Sequence, residues 1–410
     1  MNISRLRARA VRQERKLEET RKLIDQTTDD VDPISAELAR SRAYSFDVAK
    51  LPLEDVVAGC SDSLNRYGFT VLDHVIPTGE VEAVREEVVR ADSIIEGNLA
   101  AIRNLQSGKN PAAASDVELR PVRRVGHPPK PPNDIIWMPT YAQHLANPVV
   151  TALARSVLDD HLRIAQLHLR IIEADKPDGT PGGFGPVHVR GRHVRGWHTD
   201  WPHDLSAYGA GDPLRNAGCI RQPYPDLAMC LVMIWYLTDV DADSGGTWVV
   251  PGSHKDPRNP RGPSDGISAA APIPGEMQIS APAGSVYLQD SRSWHASARH
   301  NPSHSRVAVV NRWCPWWVSV DDFAPGQTYG TNTVCRPLAH GEFQALPTDV
   351  QPLMRHLCPD EQDTLQQPVL DRSAAAAATA GLAFRQQEEN PDSVAKANAH
   401  IRVRVNPSRA

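Results

Sequence analysis

Ala228-Met229-Cys230-Leu231-Val232-Met233-Ile234-Trp235-Tyr236-Leu237 is an unbroken apolar run of strand type. It sits within a series of similar short segments. Residues 167–174 and 187–194 precede it as strands, separated by the turn-rich stretch 177–186. Residues 247–250 follow as a short strand stopped by Pro251-Gly252, and 285–289 and 306–313 continue the series. Upstream the character is helical. Around Arg66-Tyr67-Gly68-Phe69-Thr70-Val71-Leu72 a β-like run follows a helical pattern. A helix is then expected over 79–93, where Val81, Val84, Val88 and Val89 fall at helical spacing, and another over 147–158. Many short strands after a helical start predict a mainly β fold: a jelly-roll or β-sandwich core with flanking α-helices.

Both ends of the chain are less informative. Residues 3–25, rich in Arg, Glu, Lys and Leu, read as an exposed helix, either a solvated arm or an oligomer contact, broken at 29–33. From 371 onward an alanine run gives way to polar residues, a helix followed by a frayed end. The expected organisation is a helical N-terminal extension at 1–50, a catalytic domain at 51–345 with its β core at about 164–320, and a partly helical C-terminal extension at 346–410. The Gly-, Pro-, Ala- and Arg-rich loop at 107–135, with the insert after Trp201, is expected to form a lid that sets specificity.

Composition excludes some functions. The 410-residue chain has 40 % apolar and 23 % charged residues, ordinary for a globular protein. A formal charge of -5 argues against nucleic acid or an anionic membrane as the main partner, although Arg190, Arg192 and Arg195 form a local basic cluster. None of the six cysteines is in a C-x-x-C pair, so reduced thiols in a cytoplasmic enzyme are expected. The N-terminus shows no signal-peptide pattern, and no apolar run is long enough for a membrane span. A small-molecule substrate is the expected partner, and a homo-oligomer is left open.

The chemistry centres on Gly196-Trp197-His198-Thr199-Asp200-Trp201. In an extended segment, side chains two apart share a face, so His198 and Asp200 can reach one metal. H-x-D alone is a weak signal. His295, well downstream, supplies a second imidazole, and two histidines with one carboxylate make the facial triad of non-haem iron oxygenases. Arg306 follows His295 across the turn Asn301-Pro302-Ser303, which predicts two adjacent antiparallel strands. An arginine there can grip the distal carboxylate of 2-oxoglutarate, and Ser297 can donate to the same group. Among other histidines, His203, His300 and His304 are weaker ligand candidates, and His254 reads as structural. His188 and His193 are candidates for the substrate pocket. Trp201 and Arg312 are further candidates to line it. Arg312 shares strand parity with Arg306 and points the same way unless a bulge intervenes.

The order of these motifs resembles the phytanoyl-CoA dioxygenase family. The matching features are H-x-D at 198–200, G-x-x-x-V-P-G-S-H-K ending at Lys255, and Gly284-Ser285-Val286-Tyr287-Leu288-Gln289-Asp290. A later histidine, an asparagine and an arginine complete the order, and the opening RYGFTVLDHVIP spans 66–77. The resemblance covers about residues 64–317. It implies a double-stranded β-helix (cupin-like) fold and the use of Fe(II), 2-oxoglutarate and O2. It makes His198, Asp200 and His295 the catalytic metal ligands, and Ser297 and Arg306 the 2-oxoglutarate contacts. The expected reaction is hydroxylation of an unactivated C–H bond with release of succinate and CO2. Desaturation, demethylation, ring closure and epimerisation stay open, and nothing in the sequence marks a CoA site. The competing readings are a cupin-type metalloenzyme without 2-oxoglutarate and a non-catalytic jelly-roll ligand-binding protein.

Overall fold

The computed structural model describes residues 39–106, 132–172, 196–200, 202–203, 225–242, 244–256, 258–260, 267, 271–298, 305–318 and 338–358. All belong to one compact unit, Met1–Cys358. The expected N-terminal helix, the strand at 187–194, the alanine-rich tail, and His188, His193, Trp201, His300 and His304 lie outside the described residues. Among the described residues no helix is long and apolar enough to cross a membrane.

The chain opens with strand β1 (Ser45–Asp47), helix α1 (Leu53–Tyr67), strand β2 (Phe69–Asp73) and helix α2 (Val81–Gln106). A 3-10 turn (Pro132–Trp137) leads into helices α3 (Pro139–Leu145) and α4 (Pro148–Val157). Proline at the start of both costs nothing, because the first helical N–H groups have no intrahelical acceptor. Then come β3 (Leu162–Ile172), β4 (Leu231–Tyr236), β5 (Trp248–Val249), β6 (Met277–Gln278), β7 (Val286–Asp290), β8 (His295–Ala296) and β9 (Arg306–Pro315). Helices α5 (His340–Ala345) and α6 (Gln351–Met354) close the described chain.

Six strands form one sheet in the order β1-β2-β7-β4-β9-β3, antiparallel except for the parallel β1–β2 pair. A second, three-stranded sheet has the order β6-β5-β8. The apolar run in β4 is unbroken because both of its faces are covered. Leu231, Met233 and Trp235 join the helices in the larger core, as do Val307, Val309 and Trp313 of β9. Val232, Ile234, Tyr236, Ala308 and Val310 point the other way, into a second core shared with Val249 and Met277 of the small sheet and Ile279 just after it. That shared core is where the two sheets meet, and the site lies on this inner side.

β3 changes parity partway. Leu162 and Ile164 face the helices, Ala165 enters the inner core, and Leu167 faces the helices again. The cause is a register shift against β9 between Ile164 and Gln166, a β-bulge that turns the following even-numbered residues inward.

Two expectations need correction. His295 and Arg306 are not on neighbouring strands: β8 pairs with β5, whereas β9 pairs with β3 and β4 in the other sheet. The packed unit also overruns the boundaries at 50/51 and 345/346. β1 is hydrogen-bonded to β2, and Phe343, Leu346, Val350, Leu353, Met354 and Leu357 are buried in the larger core.

Candidate metal centre

His198 and His295 form an isolated antiparallel bridge, each N–H donating to the other's carbonyl at 3.0 Å. Opposed residues of such a pair place their side chains together, and the ring centroids are 4.1 Å apart. His198 Nδ1 lies 2.8 Å from the Gly196 carbonyl and His295 Nδ1 lies 3.0 Å from the Ser293 carbonyl. A carbonyl can only accept, so both Nδ1 atoms carry the proton and both Nε2 lone pairs are left for a ligand. Asp200 Oδ2 is 3.4 Å from His295 Nε2. One ligand atom from each of His198, Asp200 and His295 falls within 4.8 Å of the others. Two neutral imidazoles and one carboxylate converging from one side form a donor set that fits a divalent transition metal and leaves its opposite side open.

The ligands are held by backbone hydrogen bonds. Asp200 N donates to Ser291 O at 2.8 Å, and His203 N donates to Asp200 O at 2.7 Å. His203, fully buried, places Nδ1 2.8 Å from Ser291 Oγ, and burial depresses its pKa to about 4, keeping the ring neutral. His203 is therefore a brace beneath the loop. The turn that carries Ser291 is fixed by Arg292, whose Nε and Nη2 donate to Asp290 at 3.0 and 2.8 Å.

A third support reaches back to the start of the domain. The last carbonyls of a helix lack intrahelical donors, and those of α1 are met by the turns around the site. Gly252 N donates to Tyr67 O and Asp290 N to Gly68 O, both at 2.8 Å. Ser293 Oγ donates to Gly68 O at 3.0 Å, and His254 Nε2 lies 3.2 Å from Asn65 O. Ser253 Oγ accepts from Trp294 N at 2.8 Å. The V-P-G-S-H motif is therefore a clamp between the end of α1 and the strand bearing His295. His254 caps a helix 189 residues away.

Two arginines of β9 point to the inner side. Arg306 is buried, with its guanidinium 5.3 Å from the Tyr236 ring centroid. Its Nε has no hydrogen-bond partner among the described residues. Burial lowers the guanidinium pKa from its ordinary value, and Tyr236 opposes that shift. Arg312 Nη2 donates to Asp200 Oδ1 at 2.7 Å and Nη1 to Gln166 Oε1 at 3.1 Å. Burial by itself would raise the Asp200 pKa. The charge of Arg312 outweighs this and holds the carboxyl well below the usual range, so it stays ionised.

The structure thus brings together His198, Asp200 and His295, and sets Arg312 against Asp200. Ser297 is exposed and stands outside this buried group. β8 ends at Ala296, so strand alternation does not carry from His295 to Ser297. Gln166, Ser291, Ser293 and Gly68 were missed as site supports. The Gly-Phe pair at a helix-to-strand junction was the signal for Gly68; nothing in the sequence marked the other three.

The phytanoyl-CoA dioxygenase family profile matches residues 64–308. The chain is similar to an uncharacterized protein of Mycobacterium tuberculosis, Rv1501, 25 % identical over 252 residues, which is 60 % of this chain and 71 % of that one. Among solved structures it is similar to iron-bound HygX from Streptomyces hygroscopicus, at 18 % identity and TM-score 0.41, covering 67 % of this chain and 96 % of HygX. It is also similar to SnoN, the non-heme alpha-ketoglutarate-dependent epimerase from nogalamycin biosynthesis, at 17 % identity and TM-score 0.38, covering 67 % and 92 %.

Proposed function

This chain belongs to the phytanoyl-CoA dioxygenase family, and from that premise we propose that it is an Fe(II)- and 2-oxoglutarate-dependent oxygenase that hydroxylates a C–H bond of a small molecule. The observation that carries the reading is the convergence of His198, Asp200 and His295, with both histidines held in the tautomer that offers Nε2. We read the two sheets as the halves of a double-stranded β-helix, with the site on their shared inner side.

His198, Asp200 and His295 would hold the iron. Arg306, buried and with no Nε partner among the described residues, would bind the far carboxylate of 2-oxoglutarate. Iron and 2-oxoglutarate, when bound, supply the oxidising chemistry with O2. The protein's share is position and exclusion of water. The paired backbone bonds at 198 and 295 fix the two imidazoles, Arg312 keeps Asp200 ionised, and the apolar inner core beneath keeps that side dry.

Anaerobic titration of 2-oxoglutarate into the Fe(II)-loaded protein tests this, followed by the weak visible charge-transfer band of the chelate. The band is expected in wild type, with Arg306→Ala needing about 10-fold more 2-oxoglutarate or beyond, as loss of a charge-assisted hydrogen bond to a buried ligand predicts. Bound iron with no band would remove 2-oxoglutarate from the account and favour a cupin-type enzyme.

A further inference from the structure

Asp200 has two oxygens, and the structure treats them differently. Oδ2 lies in the ligand cluster, 3.4 Å from His295 Nε2. Oδ1 accepts from Arg312 Nη2 at 2.7 Å. We propose that Arg312 is a positioning residue: it occupies Oδ1 so that Asp200 can bind a metal through Oδ2 alone. The inference rests on the oxygenase reading of the same site.

Three features make this arrangement a built one. Arg312 and Asp200 are both buried, so the contact is protected from competing water. Arg312 is fixed at its other end by Gln166, its direct partner across the β3–β9 pair. Gln166 faces inward only because the bulge at Ala165 shifts the parity of β3. Without the bulge, Ala165 would stand opposite Arg312, and the guanidinium would lose its second anchor.

The chemical reason follows from counting positions. A six-coordinate metal held by two imidazoles and one carboxylate oxygen keeps three positions. A chelating 2-oxo acid takes two, which leaves one for O2. Were Asp200 to chelate through both oxygens, only two positions would remain, and the co-substrate would have to compete with the protein's own carboxylate. Engaging Oδ1 with a fixed cation prevents that.

Co(II) is the probe, because its visible spectrum reports coordination without turnover. Wild type and Arg312→Met would be loaded with Co(II), and 2-oxoglutarate titrated into each. The variant is expected to bind Co(II) with an altered spectrum and to need about 10-fold more 2-oxoglutarate, the scale on which partners of metal ligands act. Arg312→Lys should fall between the two. A wild-type spectrum together with wild-type 2-oxoglutarate affinity in Arg312→Met would overturn the proposal, whatever happens to stability. If Arg312→Met does not fold, Gln166→Leu carries the test. It loosens Arg312 without removing its charge and should move both readouts the same way by less, and no movement would overturn the proposal. A wild-type Co(II) protein that ignores 2-oxoglutarate would sink the oxygenase reading instead. The spectrum of Arg312→Met would then decide the role of Arg312 alone.

Discussion

Asp200 joins two interactions that would each be costly alone. It supplies the charge of the ligand set, and it neutralises the buried Arg312. Removing one member of a buried ion pair strands the other, at about 3–5 kcal/mol. Asp200→Ala should therefore lose divalent-metal binding and also unfold at lower urea, with metal failing to restore the midpoint. A variant that binds no metal at unchanged stability would mean that Arg312 finds another partner. The ligands were legible in the sequence because strand parity puts residues two apart on one face, and H-x-D is short enough for parity to hold. The same parity does not reach Ser297, because β8 ends before it. The Arg312–Asp200 contact was not legible at all. No spacing in the sequence relates Arg312 to Asp200, and the bulge that brings Gln166 to Arg312 shows only as a change of apolar parity, from Leu162 and Ile164 to Leu167, Leu169 and Ile171.

At the level of elements, the junction of α1 and β2 carries much of the site's precision. Gly68 ends α1 at φ +82°, a left-handed conformation that glycine adopts without strain. A Cβ there would lie 2.5 Å from Ser293 Oγ and 2.6 Å from His254 Nδ1. Both belong to the turns that brace His295. Gly68→Ala should cost about 1–2 kcal/mol from the backbone alone, and more from the displaced turns. The expected result is a lower urea midpoint accompanied by weaker metal binding, since Ser293 also carries the carbonyl that orients His295. Loss of stability with unchanged metal affinity would show that the turns yield independently of the ligand. The sequence made β2, β4, β7 and β9 readable, because each contributes an apolar face or two. It could not assign β5, β6 and β8 to a sheet. Each is two residues long, too short for periodicity to say what it pairs with.

For the whole molecule, the described fold is a sheet covered by helices on one side and by a smaller sheet on the other. The C-terminal helices, expected to lie outside the catalytic domain, are part of the helical cover. His356 lies there, a half-buried residue with both ring nitrogens buried, and burial followed by the charge of Arg163 depresses its pKa to about 3. Unfolded, it would titrate near its ordinary value of about 6.5. Between those values the unfolded chain binds a proton that the folded one refuses. Stability therefore falls as pH drops from about 6.5 toward about 3, and this group adds nothing further below that. His356→Leu should flatten that part of the profile, read as urea midpoints at pH 7 and pH 5. An equal loss in both proteins would assign the acid sensitivity elsewhere.

The clamp at the end of α1 bears on how the molecule comes into being. Its partners stand 225 residues apart in the case of Gly68 and Ser293. Contacts between such distant parts of a chain form late, because a long loop must close before they give any return. During synthesis α1 emerges early, its last carbonyls are met only by the distant turn at 252–254, and the Gly68 carbonyl that follows it waits until the turn at 290–293 has been made. The cap carbonyl of the helix and the turn that leads into His295 are then secured by one closure, so a chain interrupted before that turn has neither.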